Sequence, residues 1–273
     1  VRKESDMKRI TSARCINCIP EVVPKKRSNN KKLKLLITNK RIDWGFKQSI
    51  LMIQSRLQQI MRRTGDKVLL ITSTIPAEGK TMTSVNMALA FAQEGMKVAL
   101  LDGDLRKPSV SELMKLPEGP GLTEYFRGES TPEEIQVVKD GVTFFRAGQK
   151  KGKVSGLIDE EKMNSLLEKL RKEYDVILMD AAPSYVFSDA MILSSYADKV
   201  LYVVRVDKAD AKEIRVGMNS FEEKEKLIGY VINRDTGGYI SQSGYGYGRY
   251  GKYQKYRKYA ELDEETMNTE DTL

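Results

Sequence analysis

Lys80 and Thr81 follow Gly79 at the end of the stretch Ile71-Thr72-Ser73-Thr74-Ile75-Pro76-Ala77-Glu78-Gly79-Lys80-Thr81. An apolar run, Val68 to Ile71, precedes this stretch, and a helix-like segment, Met82 to Glu94, follows it. Gly79, Lys80 and Thr81 match the second half of the phosphate-loop pattern G-x-x-x-x-G-K-[ST]. The first glycine of that pattern falls at Thr74, so the strict form is broken. The chemistry still suits an anionic phosphate. Backbone N–H groups of such a loop and the helix N-terminus surround it, and Gly79 lets the chain approach closely. A lysine here reaches the β- and γ-phosphates, and a threonine hydroxyl ligates Mg²⁺.

Two other stretches end in acids. Val98 to Leu101 reads as a buried strand that runs into Asp102-Gly103-Asp104-Leu105-Arg106-Lys107-Pro108. Val176 to Met179 reads as another, running into Asp180-Ala181-Ala182-Pro183. Ligands of open α/β sheets bind beyond the carboxyl ends of the strands. Lys80, Asp102, Asp104 and Asp180 all fall there. Three carboxylates and a lysine around a phosphate loop make a Mg-nucleotide site.

The elements that must position these groups alternate. Strands are expected at Val68–Thr72, Val98–Leu101, Val142–Arg146, Val176–Met179, Val200–Val206 and Ile228–Ile232. Helices are expected after the loop and at Glu160–Lys172, Asp189–Tyr196 and Ala209–Lys224, with a short one near Leu122–Phe126. Such near-continuously apolar strands predict an α/β, P-loop NTPase-like fold with a mostly parallel central sheet and helices on both faces. An amphipathic helix, about Trp44 to Arg62, stands before it. Phe46, Ile50, Ile53, Leu57 and Ile60 form one apolar stripe. Packing on its own domain is the first reading of that stripe, and a partner helix is the second.

Three regions follow: a basic connector at 1–43, the α/β domain at 44–238, and a tail at 239–273. Short strand-like pieces are expected at Cys15–Pro20 and Leu33–Ile37 within the connector. The 273-residue chain carries a formal charge of +8, concentrated in the first region. Such a segment suits nucleic acid, an anionic membrane surface or a solvated linker. No apolar run is long enough to span a membrane. Cys15 and Cys18 form a lone C-x-x-C, and the chain has no histidine to complete a zinc site. They read as reduced thiols near a strand.

The tail carries Tyr239, Tyr245, Tyr247, Tyr250, Tyr253, Tyr256 and Tyr259, interleaved with Gly, Ser, Lys and Arg. It lacks the aliphatic residues for a core and is expected to be disordered when isolated. A base-stacking surface, a sticky low-complexity tail and a cluster of phosphorylation sites all suit this composition.

Taken together, these motifs resemble the bacterial tyrosine kinases (BY-kinases) of capsule and exopolysaccharide synthesis, over roughly Trp44 to Tyr259. Pro76 to Thr81 resembles the family's P-G-E-G-K-[ST]. Asp102 to Pro108 is similar to its second acidic motif, and Tyr174 to Asp180 to its Walker B strand. Gly229-Tyr230-Val231-Ile232-Asn233 resembles the strand whose asparagine contacts adenine.

The resemblance implies an ATP-dependent protein-tyrosine autokinase that modifies its own tail in trans. ATP contacts would come from Ala77, Glu78, Gly79, Lys80, Thr81, Met82 and Asn233. Thr81 and Asp104 would hold Mg²⁺, with Asp180 acting through water. Lys80, Asp102, Asp104 and Arg106 would be catalytic, with Asp102 accepting the tyrosine proton. Tyr239, Tyr245, Tyr247, Tyr250, Tyr253, Tyr256 and Tyr259 would be the acceptors. Partners would be further copies of the chain, a phosphatase and a membrane chain-length regulator fused upstream. No nucleic acid is expected. Asp6 to Pro20 resembles the segment after the second membrane helix of such regulators, which implies the cytoplasmic face of the plasma membrane.

Three departures stand out. Ala77 replaces a common Gly, and Asp180-Ala-Ala-Pro-Ser184 replaces D-T-P-P. Of the ring-forming E-x-x-R-x-x-R only Arg56 matches, with Ile50 and Ile53 at the other two places. The alternative function is an ATP-binding switch with little or no catalysis that controls polysaccharide assembly by association. A partition-type ATPase that binds DNA shares the motifs, but the tyrosine tail argues against it.

Overall fold

A computed structural model of the chain describes residues 1, 4–22, 35–149, 156–222 and 225–236. The tail tyrosines from Tyr239 to Tyr259 and the basic cluster at 25–32 lie outside the described residues. In chain order the elements are α1 (Glu4–Met7), β1 (Cys15–Pro20), α2 (Trp44–Thr64), β2 (Val68–Ser73), α3 (Lys80–Gln93), β3 (Val98–Asp102), α4 (Val110–Met114) and α5 (Leu122–Arg127). They continue with β4 (Gln136–Lys139), β5 (Val142–Phe145), α6 (Glu160–Glu173), β6 (Val176–Asp180), α7 (Asp189–Tyr196), β7 (Lys199–Arg205), α8 (Ala211–Glu222) and β8 (Leu227–Asp235).

The strands form one sheet in the order β1-β8-β7-β2-β6-β3-β5-β4. Every pairing is parallel except β4 with β5. Successive side chains of a strand point to opposite faces. Val68 and Leu70 of β2 therefore meet the layer built by α5, α6, α7 and α8, with Phe126, Leu166, Leu193 and Phe221 among its contacts. Leu69 and Ile71 meet the layer built by α2, α3 and α4. Both faces are covered, which accounts for the near-continuous apolar runs.

Local chemistry sets the helix ends. Asp43 caps α2 by accepting the Phe46 N–H at 3.3 Å, and Gly65 ends it at φ 75°. Asp159 caps α6 by accepting the Lys162 N–H at 2.9 Å. Arg171 and Lys172 stand in its last turn, where cations favour the helix dipole.

Two expectations are corrected. First, the described part of 1–43 is not a separate connector. β1 extends the sheet beside β8, and Met7, Ile10, Ile16, Ile19, Ile37 and Ile42 are buried in the two core layers. Second, Leu35 to Ile37 is not a strand. Asn86 of α3 holds it instead, donating to the Leu35 carbonyl and accepting the Ile37 N–H, both at 2.8 Å. The first reading of the α2 stripe holds: it packs on the domain itself. Phe46, Ile50, Ile53 and Leu57 are fully buried against β1, α3 and the sheet, which leaves them no surface for a partner. Three elements were not foreseen, the four-residue α1 among them. α4 is a five-residue helix, and β4 forms a hairpin with β5 through Asp140 and Gly141 at φ 49° and 77°.

Candidate functional site

Parallel pairing brings the acidic strand ends together. β6 lies between β2 and β3, with Asp180 in register with Ile71 on one side and Asp102 on the other. The chain after β2 turns through Thr74–Gly79 and enters α3 at Lys80. The loop and both carboxylates thus share one end of the sheet, as the strand–loop–helix order requires.

Lys80 lies at the centre, buried. Its Nζ sits 2.7 Å from Asp104 and 3.3 Å from Asp180. Burial pulls the proton affinity of this amine down, but the charges of Asp180 and Asp104 outweigh it and hold the ammonium. Asp180 also accepts the Thr81 hydroxyl at 2.7 Å and the Ser84 hydroxyl at 2.9 Å. Asp104 accepts the Lys107 N–H at 3.0 Å.

Asp102 is fully buried. Its Oδ2 accepts the Val110 N–H at 3.1 Å, while Oδ1 has no partner among the described residues. Burial, then the neighbouring charge of Asp180, pushes its pKa well above the usual carboxylate range. Arg106 points to Asp189, at the first position of α7, in a two-point ion pair, and lies 4.5 Å over the Phe187 ring. Arg106 thus pairs with Asp189 while lying close enough to Asp104 to feel its charge.

Three residues, Ala77, Glu78 and Asn233, set the shape of the loop. Ala77 sits at φ 67°, a left-handed conformation that glycine adopts freely and alanine does not. The Glu78 side chain does not face the phosphate position. It is fully buried and turned inward, where it accepts the N–H groups of Thr74 at 2.7 Å and Ile75 at 2.9 Å. Burial raises its pKa, and the bonds from Ile75, Arg205 and Thr74 partly offset that rise. Asn233 donates its amide to the Glu78 carbonyl at 2.7 Å and accepts the Arg234 N–H at 2.9 Å. Asn233 thus braces the loop from β8. A Cβ on Gly79, itself at φ 98°, would fall 2.1 Å from that amide nitrogen. Met82 packs its side chain on the α2–α3 core, which leaves its N–H at the helix start for a ligand.

Sequence reasoning missed Ser84, Asp189 and Arg205. Ser84 lies one turn beyond Lys80 on α3, and that spacing was a usable signal. Asp189 and Arg205 act across the sheet end, and no local pattern marks them.

The residues fit a Mg-bound polyphosphate. The amides of Gly79, Lys80, Thr81 and Met82 donate to no acceptor among the described residues, at the N-terminus of a 14-residue helix. Asp102, with one oxygen unpartnered, lies within electrostatic reach of Asp180, Lys80 and Asp104. Among the described residues no group of three or more Cys, Asp or Glu is arranged to hold a metal alone. Mg²⁺ commonly takes one or two carboxylates and completes its shell with phosphate and water, so this donor set suits it.

Comparison with known proteins decides the family. A family model described as "ParA: NUBPL iron-transfer P-loop NTPase" matches residues 65–212. The tyrosine-protein kinase CpsD of Streptococcus pneumoniae is 34% identical over 184 residues, covering 63% of this chain and 78% of CpsD. This chain belongs to the bacterial tyrosine-kinase family. The tyrosine-protein kinase YwqD of Bacillus subtilis is 32% identical over 185 residues, covering 66% of this chain and 77% of YwqD. The kinase domain of the Escherichia coli tyrosine kinase ETK superposes with a TM-score of 0.73 at 25% identity, covering 85% of this chain and 92% of that one. The chain spans only 27% of the tyrosine-protein kinase ptk of Acinetobacter johnsonii. The septum site-determining protein MinD of Pyrococcus horikoshii, solved with Mg-ADP, shares the fold at a TM-score of 0.52 and 22% identity, covering 62% of this chain and 70% of MinD.

Proposed function

We propose that this kinase-family chain transfers the γ-phosphoryl group of ATP to tyrosines of its own tail, Tyr239, Tyr245, Tyr247, Tyr250, Tyr253, Tyr256 and Tyr259, in a neighbouring copy. One observation carries the reading: the Lys80 ammonium held between Asp104 and Asp180, beside unpaired amides at the start of α3. Phosphoryl transfer asks the protein mainly for positioning and charge neutralisation. Lys80 would leave its carboxylates and hold the β- and γ-phosphates. The amides of Gly79 to Met82 would bind their remaining oxygens. Thr81 and Asp104 would hold Mg²⁺, with Asp180 behind a water. The metal would supply further neutralisation of the phosphate charge. Asp102, once ionised, would accept the phenolic proton as the tyrosine oxygen bonds to phosphorus and ADP leaves. The environment that raises its pKa also makes it the stronger base.

The regulatory setting follows the family. Phosphorylation of the tail would control capsule or exopolysaccharide synthesis at the cytoplasmic face of the membrane. A chain-length regulator segment would be the membrane partner, and a phosphatase would reset the tail. Among the described residues no helix is long and apolar enough to cross a membrane.

Incubation with ATP and Mg²⁺, followed by mass-spectrometric mapping of phosphotyrosine, tests the proposal. Phosphate on the tail, lost in Lys80→Met, supports it. Tight Mg-ATP binding with no phosphotyrosine would instead favour an ATP-binding switch. Mixing Lys80→Met with a tagged active copy distinguishes transfer in trans from transfer within one chain.

A further inference from the structure

The loop holds a fully buried carboxylate that the proposed chemistry does not use. Glu78 Oε2 accepts the N–H groups of Thr74 at 2.7 Å and Ile75 at 2.9 Å. Its Oε1 accepts the Arg205 N–H at 3.2 Å from the end of β7. The backbone beside it is held as well. Asn233 of β8 donates to the Glu78 carbonyl at 2.7 Å, and the Arg205 guanidinium donates to the Ala77 carbonyl at 3.1 Å. The Thr74 carbonyl accepts the Tyr185 N–H at 3.3 Å.

This arrangement explains how the loop dispenses with a first glycine. In a full phosphate loop, successive amides curl around the anion. Here the first amides, of Thr74 and Ile75, already face an anion, and the chain itself supplies it. Thr74 therefore needs neither the open space nor the conformations of glycine. The amides of Gly79 to Met82 make no such bond.

We propose that Glu78 is a positioning residue that acts as an internal anion. It closes the first half of the loop in the nucleotide-free protein and ties it to β7. Only the second half, Gly79 to Met82, is left to take phosphates. The inference rests on the nucleotide-site reading above, and it concerns shape before binding, not a contact with the ligand. A loop already closed gives up less ordering entropy when phosphate arrives, so its benefit is seen in affinity.

The test follows individual amides of the full chain by NMR hydrogen exchange, with and without Mg-ADP. The Thr74, Ile75 and Arg205 amides are expected to be protected in the free protein. Those of Gly79 to Met82 are expected to gain protection only with Mg-ADP. Thr74 and Ile75 amides that exchange as fast as Gly79 to Met82 in the free protein would overturn the proposal. Glu78→Gln adds a second arm. Its amide can accept from Thr74 and Ile75, but then turns an N–H toward the Arg205 N–H. Mg-ADP affinity measured calorimetrically on folded protein should fall about tenfold or more. Lower thermal stability with unchanged Mg-ADP affinity would mean a purely structural role and would overturn the proposal. If Glu78→Gln does not fold, the exchange pattern of the wild type decides alone. Wild-type protein that binds no Mg-ADP would overturn the nucleotide-site reading, and this inference with it; that result is distinct from loss confined to the variant.

Discussion

The Lys80 ammonium lies 2.7 Å from the Asp104 carboxylate, a pair formed between the start of α3 and the segment after β3. Both side chains are nearly excluded from solvent, and Asp180 is the third member of the group. This lysine neutralises the acids to which the proposed function gives the phosphates' metal. Binding and stability are therefore coupled at one residue.

Lys80→Met is accordingly expected to do more than abolish phosphotyrosine. It leaves buried carboxylates uncompensated, and removing one partner of such a pair costs about 3 kcal/mol. Urea unfolding of the free protein should show that loss. Adding Asp104→Asn to the variant should recover much of the stability and none of the activity. A single variant as stable as wild type would show that the ion pair contributes little.

Ala77 offers a change in the opposite direction. At φ 67° its Cβ crowds the backbone, at about 1 kcal/mol, and glycine would remove that crowding. Glycine also gives the unfolded chain more freedom, which cancels part of the gain. Ala77→Gly should therefore stabilise the protein by about 0.5 kcal/mol, read as a higher denaturation midpoint at unchanged slope. A lower midpoint would count against the left-handed conformation.

The legible parts of this fold were those with a local signal. Apolar runs marked β2, β3 and β6, the last two with acidic ends and the first with the phosphate-loop residues after it, and their parallel order then brought Lys80, Asp102, Asp104 and Asp180 together. The hairpin of β4 and β5 had a signal that went unread: Asp140-Gly141, a two-residue turn with both φ angles positive, between two short strand-like runs. β4 itself is an edge strand with Val138 exposed, so no apolar run announces it. β1 was legible as a strand but not as part of the sheet. Its partner β8 lies some two hundred residues away in the sequence, and no local pattern fixes that pairing. The inward turn of Glu78 was illegible for a related reason. Its carboxylate accepts the nearby Thr74 and Ile75 N–H groups, but its third donor, the Arg205 N–H, is supplied only by the packing of β7.

The α2 stripe makes a stability prediction in place of an assembly one. Ile50 is fully buried between α2 and the sheet. Ile50→Ala removes that packing and leaves a cavity, at about 3 kcal/mol. Chemical denaturation should show the loss with no concentration dependence. A variant of native stability that sediments as a smaller species would restore the partner-helix reading.

Asp198 provides a pH handle away from the nucleotide site. It accepts the N–H groups of Lys67 and Val68 at 2.8 Å each and pairs with the Arg171 guanidinium, so it anchors the start of β2. Burial alone would raise its pKa, but the bonds from Arg171, Val68 and Lys67 outweigh burial and lower it below the ordinary 3.8. A carboxylate with a depressed folded pKa stabilises fully above its unfolded pKa. That contribution is lost as pH falls through the folded value. Asp198→Asn should therefore cost about 1 to 2 kcal/mol at neutral pH, allowing for partial exposure. The gap between variant and wild type should close as pH drops below about 4. A gap that stays constant from neutral pH down to 3 would assign the effect to packing rather than charge.

Phosphorylation itself should act through charge. The tail carries Arg249, Lys252, Lys255, Arg257 and Lys258 among its tyrosines. Each phosphate adds roughly −1.5 to −2 charges at neutral pH, so modifying four tyrosines adds about −6 to −8 and reverses the sign of that stretch. The proposed destination is lined by Asp104 and Asp180, whose charge the single Lys80 offsets only in part. On the proposed function, an unmodified basic tail would be drawn to such a site in a neighbouring copy, whereas a multiply phosphorylated one would meet like charge there. Unphosphorylated chains should therefore associate, and phosphorylated chains should separate. Sedimentation of Lys80→Met protein against fully phosphorylated wild type, at matched ionic strength, measures the difference. Raising the salt should weaken association of the unmodified form, because exposed charges are screened within about 10 Å at 0.1 M. If the phosphorylated form is the larger assembly, the switch runs the other way, and charge repulsion at the site is not what governs release.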